Sequence, residues 1–320
     1  MLRLVFFGTP DFAVPTLEAL IASRHEVVGV VTQPDRPVGR GQRVRPSPVK
    51  ALAVARGLSV WQPERLRDAG FLAAFQAVGA DLGVVAAYGK ILPEELLARP
   101  RLGMVNVHAS LLPAWRGASP VQHAVMAGDR ETGVTIMRVA KALDAGATFA
   151  RVVRPIGPDE TAADVERDLA RLGAGLLLDV LETIERGTAV ETPQDDARAT
   201  YAPRLTKADG RLDFVLPAPA LHDRVRGLQP WPMAHAWLGG LRLTFWRVRP
   251  APGHGGADPP PPGTVVEAAG GRLVVAAGAG TSVEVLELQP EGRRPMSARD
   301  FLAGHRLPPG ARLHAGPPGP

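Results

Sequence analysis

Apolar and polar positions divide the chain into two textures. In the first, short apolar runs alternate with helical spacing. Residues 2–7 form an apolar run that ends at Gly8-Thr9-Pro10. Residues 12–23 carry Phe12, Leu17, Leu20 and Ile21 at helical spacing, with Asp11 placed to cap them. Residues 26–32 form a second apolar run, so the start of the chain predicts a parallel β-α-β unit. Residues 81–87 are almost continuously apolar, as expected of a central strand covered on both faces. At 104–108, Met104, Val105 and Val107 are strand-forming, while Asn106 and His108 share the other face. A turn at 110–117 and a helix at 118–126 follow. Further strands are predicted at 58–61, 132–139 and 148–155, the last one antiparallel because its connection is short. Helices are predicted at 47–56, 71–78 and 161–186, the longest with Val165, Leu169, Leu172, Leu176, Leu177, Val180, Leu181 and Ile184 along one stripe. The expected architecture is an α/β domain with a Rossmann-like, mostly parallel sheet over residues 1–186.

The second texture begins after residues 187–208, which lack periodicity and read as a linker. A helix at 218–228 precedes Gln229-Pro230-Trp231-Pro232. Five short strands follow, at 234–238, 241–247, 263–266, 272–277 and 282–289, separated by glycine pairs and a proline-rich stretch. This spacing predicts a small antiparallel, OB-like β-barrel domain over 209–307, closed by a helix at 297–304. Residues 308–320 are rich in proline and glycine and are expected to be a disordered tail.

Composition narrows the function classes. The 320 residues include no cysteine, which excludes disulfides, thiolate nucleophiles and Cys-ligated zinc. The eight histidines show no metal-ligand spacing, so no metal is expected. No run of 18 apolar residues occurs and no signal peptide is evident, so a cytoplasmic protein without membrane association is expected. The net charge of +5 is uneven: residues 1–200 balance 23 basic against 23 acidic side chains, whereas residues 201–320 carry 14 against 9. That excess suits a polyanionic partner, and it also suits a merely arginine-rich composition. Residues 33–48 hold Arg36, Arg40, Arg43 and Arg45 against Asp35, with Gly39 and Gly41 beside Arg40. Such a long polar stretch between α/β elements is either functional or a solvated loop.

The candidate chemistry starts at Asn106 and His108. Two polar side chains on one face of a strand end mark the place where open α/β sheets build sites. Asn supplies a neutral donor and His a charged one, which suits a developing oxyanion at an acyl carbon. A satisfied polar pair at a sheet end is the other reading. Asp144, beside Gly146 in the 141–147 loop, would orient His108 and keep it charged if that loop also lies at the carboxyl edge. No Ser or Cys nucleophile accompanies them in this stretch, so direct attack by an incoming amine is simpler than a covalent acyl-enzyme. The turn after the first strand is not GxGxxG, so a dinucleotide fingerprint is absent.

With Ser110-Leu111-Leu112-Pro113 behind it and Asp144 beyond, the Asn106-x-His108 sequence resembles the folate-dependent formyltransferases. Phe7-Gly8-Thr9-Pro10-Asp11-Phe12, Thr32-Gln33-Pro34-Asp35-Arg36-Pro37, Gly39-Arg40-Gly41, Trp115-Arg116-Gly117-Ala118 and Pro230-Trp231-Pro232 narrow the likeness to the branch acting on methionyl-tRNA. The resemblance runs from Met1 to about Leu307 and implies a formyltransferase-type first domain. It implies that formyl passes from 10-formyltetrahydrofolate, a cosubstrate, to the α-amino group of initiator methionyl-tRNA, as translation initiation requires. Asn106, His108 and Asp144 would be catalytic. Ser110, Leu111, Leu112, Pro113, Tyr88, Ile91 and Leu92 would bind folate, although spacing alone suits those leucines equally to the core. Arg36, Arg40, Arg43 and Lys207 would contact tRNA, and no obligate protein partner is implied. The Asp144 loop departs from the family pattern: relatives commonly read Leu-Asp-x-Gly-Asp, whereas Leu143-Asp144-Ala145-Gly146-Ala147 stands here, with Ala140-Lys141 where an acid is common. Two alternatives remain: a folate-dependent formyltransferase for a nucleotide-sugar amine or glycinamide ribotide, and a tRNA-binding protein without catalysis.

Overall fold

The computed structural model describes residues 1–38, 43–253, 259–308 and 310–317. Two compact units emerge, one of Met1–Pro120, Glu131–Pro155 and Glu166–Pro203, the other of Val121–Arg130, Ile156–Val165 and Arg204–Pro320. The strands of the first are β1 Arg3–Gly8, β2 Glu26–Val31, β3 Arg36–Val38, β4 Arg43–Arg45, β5 Val60–Trp61, β6 Leu82–Ala86, β7 Met104–His108, β8 Arg116–Gly117, β9 Glu131–Arg138, β10 Thr148–Pro155 and β11 Tyr201–Ala202. Seven of them make one sheet in the order β10-β9-β7-β6-β1-β2-β5. The pairs β1–β2, β1–β6, β2–β5 and β6–β7 are parallel, whereas β7–β9 and β9–β10 are antiparallel. As its apolar run predicts, β6 is central and buried along its whole length.

Packing explains several residue choices. Phe7, Phe71, Phe75 and Tyr88 gather on one face, with Phe7 and Tyr88 edge to face at 5.5 Å between centroids. The helix Ala162–Glu185 carries Gly173, where an added Cβ would stand 2.7 Å from Val107 Cγ1. Val107 therefore packs under the helix, and Asn106 and His108 lie on the opposite face. At Gly133 in β9 a Cβ would meet the Val152 carbonyl oxygen of β10 at 2.1 Å and Leu111 Cδ2 at 2.5 Å. Gly133→Ala is expected to lower stability by about 1–3 kcal/mol through overpacking. A urea midpoint equal to that of the unmodified protein would contradict this.

Three local expectations are corrected. Asp11 does not cap the first helix: it opens a 3-10 turn, Asp11–Ala13, with Pro10 at the cap position, and the α-helix Val14–Ala22 continues from it. Residues 33–48 are not wholly loop, because β3 and β4 form an antiparallel ribbon with Arg36 opposite Arg45. The third is the Pro/Gly-rich end of the chain, which contributes a strand. That strand belongs to the second unit, where β12 Ala234–Leu238, β13 Leu241–Ala251, β14 Val265–Ala269, β15 Arg272–Ala276, β16 Ser282–Pro290 and β17 Met296–Ser297 are followed by β18 Leu313–His314.

The sheet of the second unit runs β14-β15-β16-β13-β12-β18, with β17 on β16. Its ends are tied: Leu313 N donates to Gly263 O and Val265 N to Ala311 O, both at 2.8 Å. Curling in this way satisfies edges that would otherwise be exposed. Leu313 is buried in the core with Phe214, Leu221, Phe245, Val285 and Phe301. Burial of this one leucine and two ladder pairs to Trp237 and Leu238 order the segment despite its composition. The helix Ala298–Gly304 is capped by Ser297, whose Oγ accepts from Asp300 N at 3.1 Å.

Candidate active site

The carboxyl ends of four parallel strands converge. Thr9 after β1, Gln33 after β2 and Tyr88 after β6 meet at one carbonyl: the oxygen of Tyr88 accepts from Thr9 Oγ1 and from Gln33 Nε2, each at 3.1 Å. The ribbon's root is fixed there too. Gln62 Nε2 donates at 2.8 Å to both Gln33 O and Asp35 Oδ1, and Lys50 pairs with Asp35. The hydrogen bonds from Lys50 and Gln62 hold the Asp35 carboxyl below the usual carboxylate range. Tyr88 itself is buried, its hydroxyl has no partner among the described residues, and burial pushes its pKa up to about 12.

At the end of β7, His108 is 5 % exposed and Asn106 half-buried. His108 Nε2 lies 3.0 Å from the Trp115 carbonyl oxygen, and Nδ1 lies 3.8 Å from Asp144 Oδ2. The same Oδ2 accepts from Gly117 N at 2.9 Å. His108 and Asp144 are therefore brought together, and Asn106 lies two residues from His108 on the same strand face. The route of Asp144 is not the expected one. Because β9 is antiparallel to β7, with Arg138 opposite Val105 and Thr135 opposite His108, the loop after β9 starts beside the beginning of β7. It must turn back to bring Asp144 to His108. Asp144 does so with φ +47°, and Gly146 lies so close to β9 that a Cβ would fall 1.9 Å from the Arg138 carbonyl oxygen. Arg138 N donates to Ala147 O at 2.8 Å, while Lys141 pairs at the surface with Glu94.

The other expected residues separate by exposure. Ser110 is fully buried, and its Oγ donates to Ala114 O at 2.6 Å. Thr135 Oγ1 donates to Ser110 O and accepts from Leu112 N, which pins the turn between them. Leu112, Leu92 and Tyr88 have their side chains in the core, Leu111 and Pro113 are half-buried, and Ile91 is 84 % exposed. Arg36 is exposed on β3, and Lys207 is exposed at the start of the 3-10 turn Lys207–Gly210. The backbone of Arg43 lies in β4. Arg40 lies outside the described residues.

Two residues of this site escape sequence reasoning. Arg116, only 4 % exposed, donates from Nε and Nη2 to Gln194 Oε1 at 3.1 and 2.9 Å, and from Nη2 to Asp196 at 2.6 Å. Gln194 Nε2 donates in turn to the carbonyls of Asp144 and Gly146. Gln194 sits in the aperiodic 187–208 stretch, much of which is structured: Tyr201–Ala202 pairs in parallel with Arg116–Gly117. Among the described residues no group of three or more His, Asp or Glu side chains could hold a metal ion. No described helix is long and apolar enough to cross a membrane.

Residues 2–181 match the family model described as formyl transferase, and residues 204–306 that of the formyl transferase C-terminal domain. A methionyl-tRNA formyltransferase from Solibacter usitatus is 47 % identical over 315 residues, covering 98 % of this chain and 99 % of its own. One from Thermus thermophilus is 47 % identical over 312 residues, with the same coverage of both chains. The chain belongs to the methionyl-tRNA formyltransferase family. As a member of the methionyl-tRNA formyltransferase family it is an enzyme of formyl transfer. Solved structures agree in fold. The Helicobacter canadensis N-formyltransferase with folinic acid and dTDP-3-aminofucose aligns with TM-score 0.65 at 16 % identity, over 89 % of this chain and 99 % of that one. The sugar 3N-formyltransferase WlaRD aligns with TM-score 0.66 at 16 % identity, over 92 % and 99 %.

Proposed function

We propose that the protein transfers the formyl group of 10-formyltetrahydrofolate to the α-amino group of initiator methionyl-tRNA, and that Asn106, His108 and Asp144 carry the transfer. The observation behind this reading is the free Asn106 amide on the same strand face as the His108–Asp144 pair. An α-amino group has a pKa of about 8, so a useful fraction is neutral near pH 7. Its nitrogen attacks the formyl carbon, the bond from that carbon to the donor nitrogen breaks, and one amine proton moves to the departing nitrogen. Negative charge grows on the formyl oxygen meanwhile. Asn106 Nδ2 makes no hydrogen bond to other described side chains and is free to donate to that oxygen. In its charged form His108 would give Nε2–H to the Trp115 carbonyl and direct Nδ1–H between Asp144 and the formyl oxygen. Each such donor lowers the barrier by about 3 kcal/mol. Asp144, anchored by Gly117 N, balances the imidazolium and takes part in moving the amine proton.

The residues near the site fit a folate donor in a restricted way. Leu111 and the exposed Ile91 offer apolar side-chain contact, whereas Leu112, Leu92 and Tyr88 are sealed and contribute through backbone and shape. The folinic acid bound by the Helicobacter canadensis neighbour supports this class of donor. The deciding assay combines purified protein, 10-formyltetrahydrofolate and methionyl-tRNA and scores formylmethionyl-tRNA. Formylation of a nucleotide-sugar amine with no product from methionyl-tRNA would overturn the reading. So would tRNA binding without product.

The β3–β4 ribbon and the residues between its strands extend the proposal to tRNA. Arg36, Arg40 and Arg43 would contact the acceptor end, and Lys207 the tRNA body. If Arg40 reads the first base pair with its planar guanidinium, Arg40→Leu lowers kcat/KM for initiator tRNA more than for a tRNA with a strong first pair. Equal losses on both tRNAs, restored by Arg40→Lys, would leave only charge attraction.

A further inference from the structure

We infer that Gln194 is the positioning residue that holds the Asp144 loop in register with His108. The inference rests on the reading above, in which Asp144 takes part in the transfer. The loop leaves β9 beside the start of β7 and must return, and it does so with a non-glycine residue at φ +47°. Asp tolerates a left-handed conformation better than most non-glycine residues, so the loop can take this turn, and its hydrogen-bonding neighbours decide that it is kept. Gln194 is the enforcing neighbour. Both hydrogens of its amide are used, on the Asp144 carbonyl at 2.8 Å and the Gly146 carbonyl at 2.7 Å. Its oxygen is taken by two N–H groups of Arg116. Arginine has only donors, so Arg116 fixes which end of the amide faces the loop. Asp196 completes the partners of this buried guanidinium. One residue further, Gly117 N holds the Asp144 carboxylate itself. Loop backbone and carboxylate are thus both referenced to Arg116–Gly117. At Gly117 an added Cβ would fall 2.6 Å from the Ala202 carbonyl oxygen, so that strand leaves little room to shift.

The test uses the full-length enzyme with Gln194→Glu and Gln194→Met, beside Asp144→Ala. Glu keeps the volume and the Arg116 contact but, ionised, cannot donate to the two carbonyls. Met keeps the volume and removes both functions. Misplacing a reacting group by about 1 Å can cost about 100-fold. The expected result is a kcat about 10–100-fold lower for both variants, with KM for methionyl-tRNA and for the folate donor within about threefold, in protein that still folds with a melting temperature only a few degrees lower. Wild-type kcat in either folded Gln194 variant, with Asp144→Ala inactive, would overturn the inference and leave the catalytic reading standing. So would a loss confined to KM, or failure of both variants to fold. Full activity of Asp144→Ala would instead overturn the catalytic reading on which the inference rests.

Discussion

Asn106→Ala, His108→Ala and Asp144→Ala are each expected to lower kcat for formyl transfer by about 10²–10³-fold in folded protein. The three substitutions differ in what else they remove. Among the described residues Asn106 has no side-chain partner to lose, so its variant should melt with the unmodified enzyme and isolate the contribution of one oxyanion donor. His108→Ala removes the ring contact with the Trp115 carbonyl and the group 3.8 Å from the Asp144 carboxylate, which Gly117 N still holds. Asp144→Asn is the sharper comparison with Asp144→Ala. The amide oxygen of Asn still accepts from Gly117 N, so geometry survives while the charge opposite His108 is removed. A loss in Asp144→Asn close to that of Asp144→Ala therefore assigns the effect to charge. Single-turnover rates with saturating methionyl-tRNA and folate donor separate this from binding. Near-wild-type turnover for all three alanine variants, in folded protein, would sink the mechanism.

The site owes its form to a mixed sheet. A fully parallel sheet would deliver every loop to one edge. Here β1, β2, β6 and β7 do so, which brings Thr9, Gln33 and the Tyr88 loop together. The antiparallel β9 sends its loop the other way, and the return of Asp144 is imposed by contacts rather than by strand direction. That return depends on a carboxylate anchor, a tightly packed glycine and an amide supplied from about 50 residues downstream.

Those contacts also mark where the sequence is legible. β1, β2 and β6 are readable because each is a nearly continuous apolar run, and β7 because Val105 and Val107 alternate with Asn106 and His108. Asn106 and His108 share a face by the two-residue period, so their pairing needs nothing beyond the strand. Gln194 carries no such signal: a glutamine among Pro193, Asp195 and Asp196 has the texture of any surface loop. Its role exists only because distant Arg116 and the Asp144 loop meet it. The β3–β4 ribbon and β18 hide for a related reason. Two- and three-residue strands are too short to show a period, and β18 is ordered by one buried leucine and its ladder bonds. Asp11 misleads because its side chain suits a cap, while Pro10 already occupies that position with extended backbone.

Replacing Arg247, Arg293, Arg294 and Arg306 together by glutamine is expected to weaken tRNA binding and flatten its salt dependence. All four are exposed, and among the described residues none is paired with a carboxylate. Arg249 and Arg272 differ: they are committed to Glu284 and Glu267, so they contribute less free charge. Residues 201–320 hold the chain's whole net excess of +5, so removing four charges takes away most of it. For each phosphate that is no longer neutralised, the slope of log K against log salt on duplex nucleic acid becomes shallower by about 0.9. Four such phosphates correspond to a slope shallower by about 3–4, and to at least about a tenfold weaker Kd near 0.1 M salt. The KM for the folate donor should not move if that anion binds at the proposed site, because the four arginines belong to the second unit and β7 to the first. Kd for initiator tRNA, measured from about 50 to 200 mM salt on both proteins, decides the matter. Parallel lines would show that the arginines only solubilise the barrel. Converging lines, with the variant weaker at low salt and similar at high salt, are the signature of released counterions, and they would assign the basic excess of the second unit to the tRNA body.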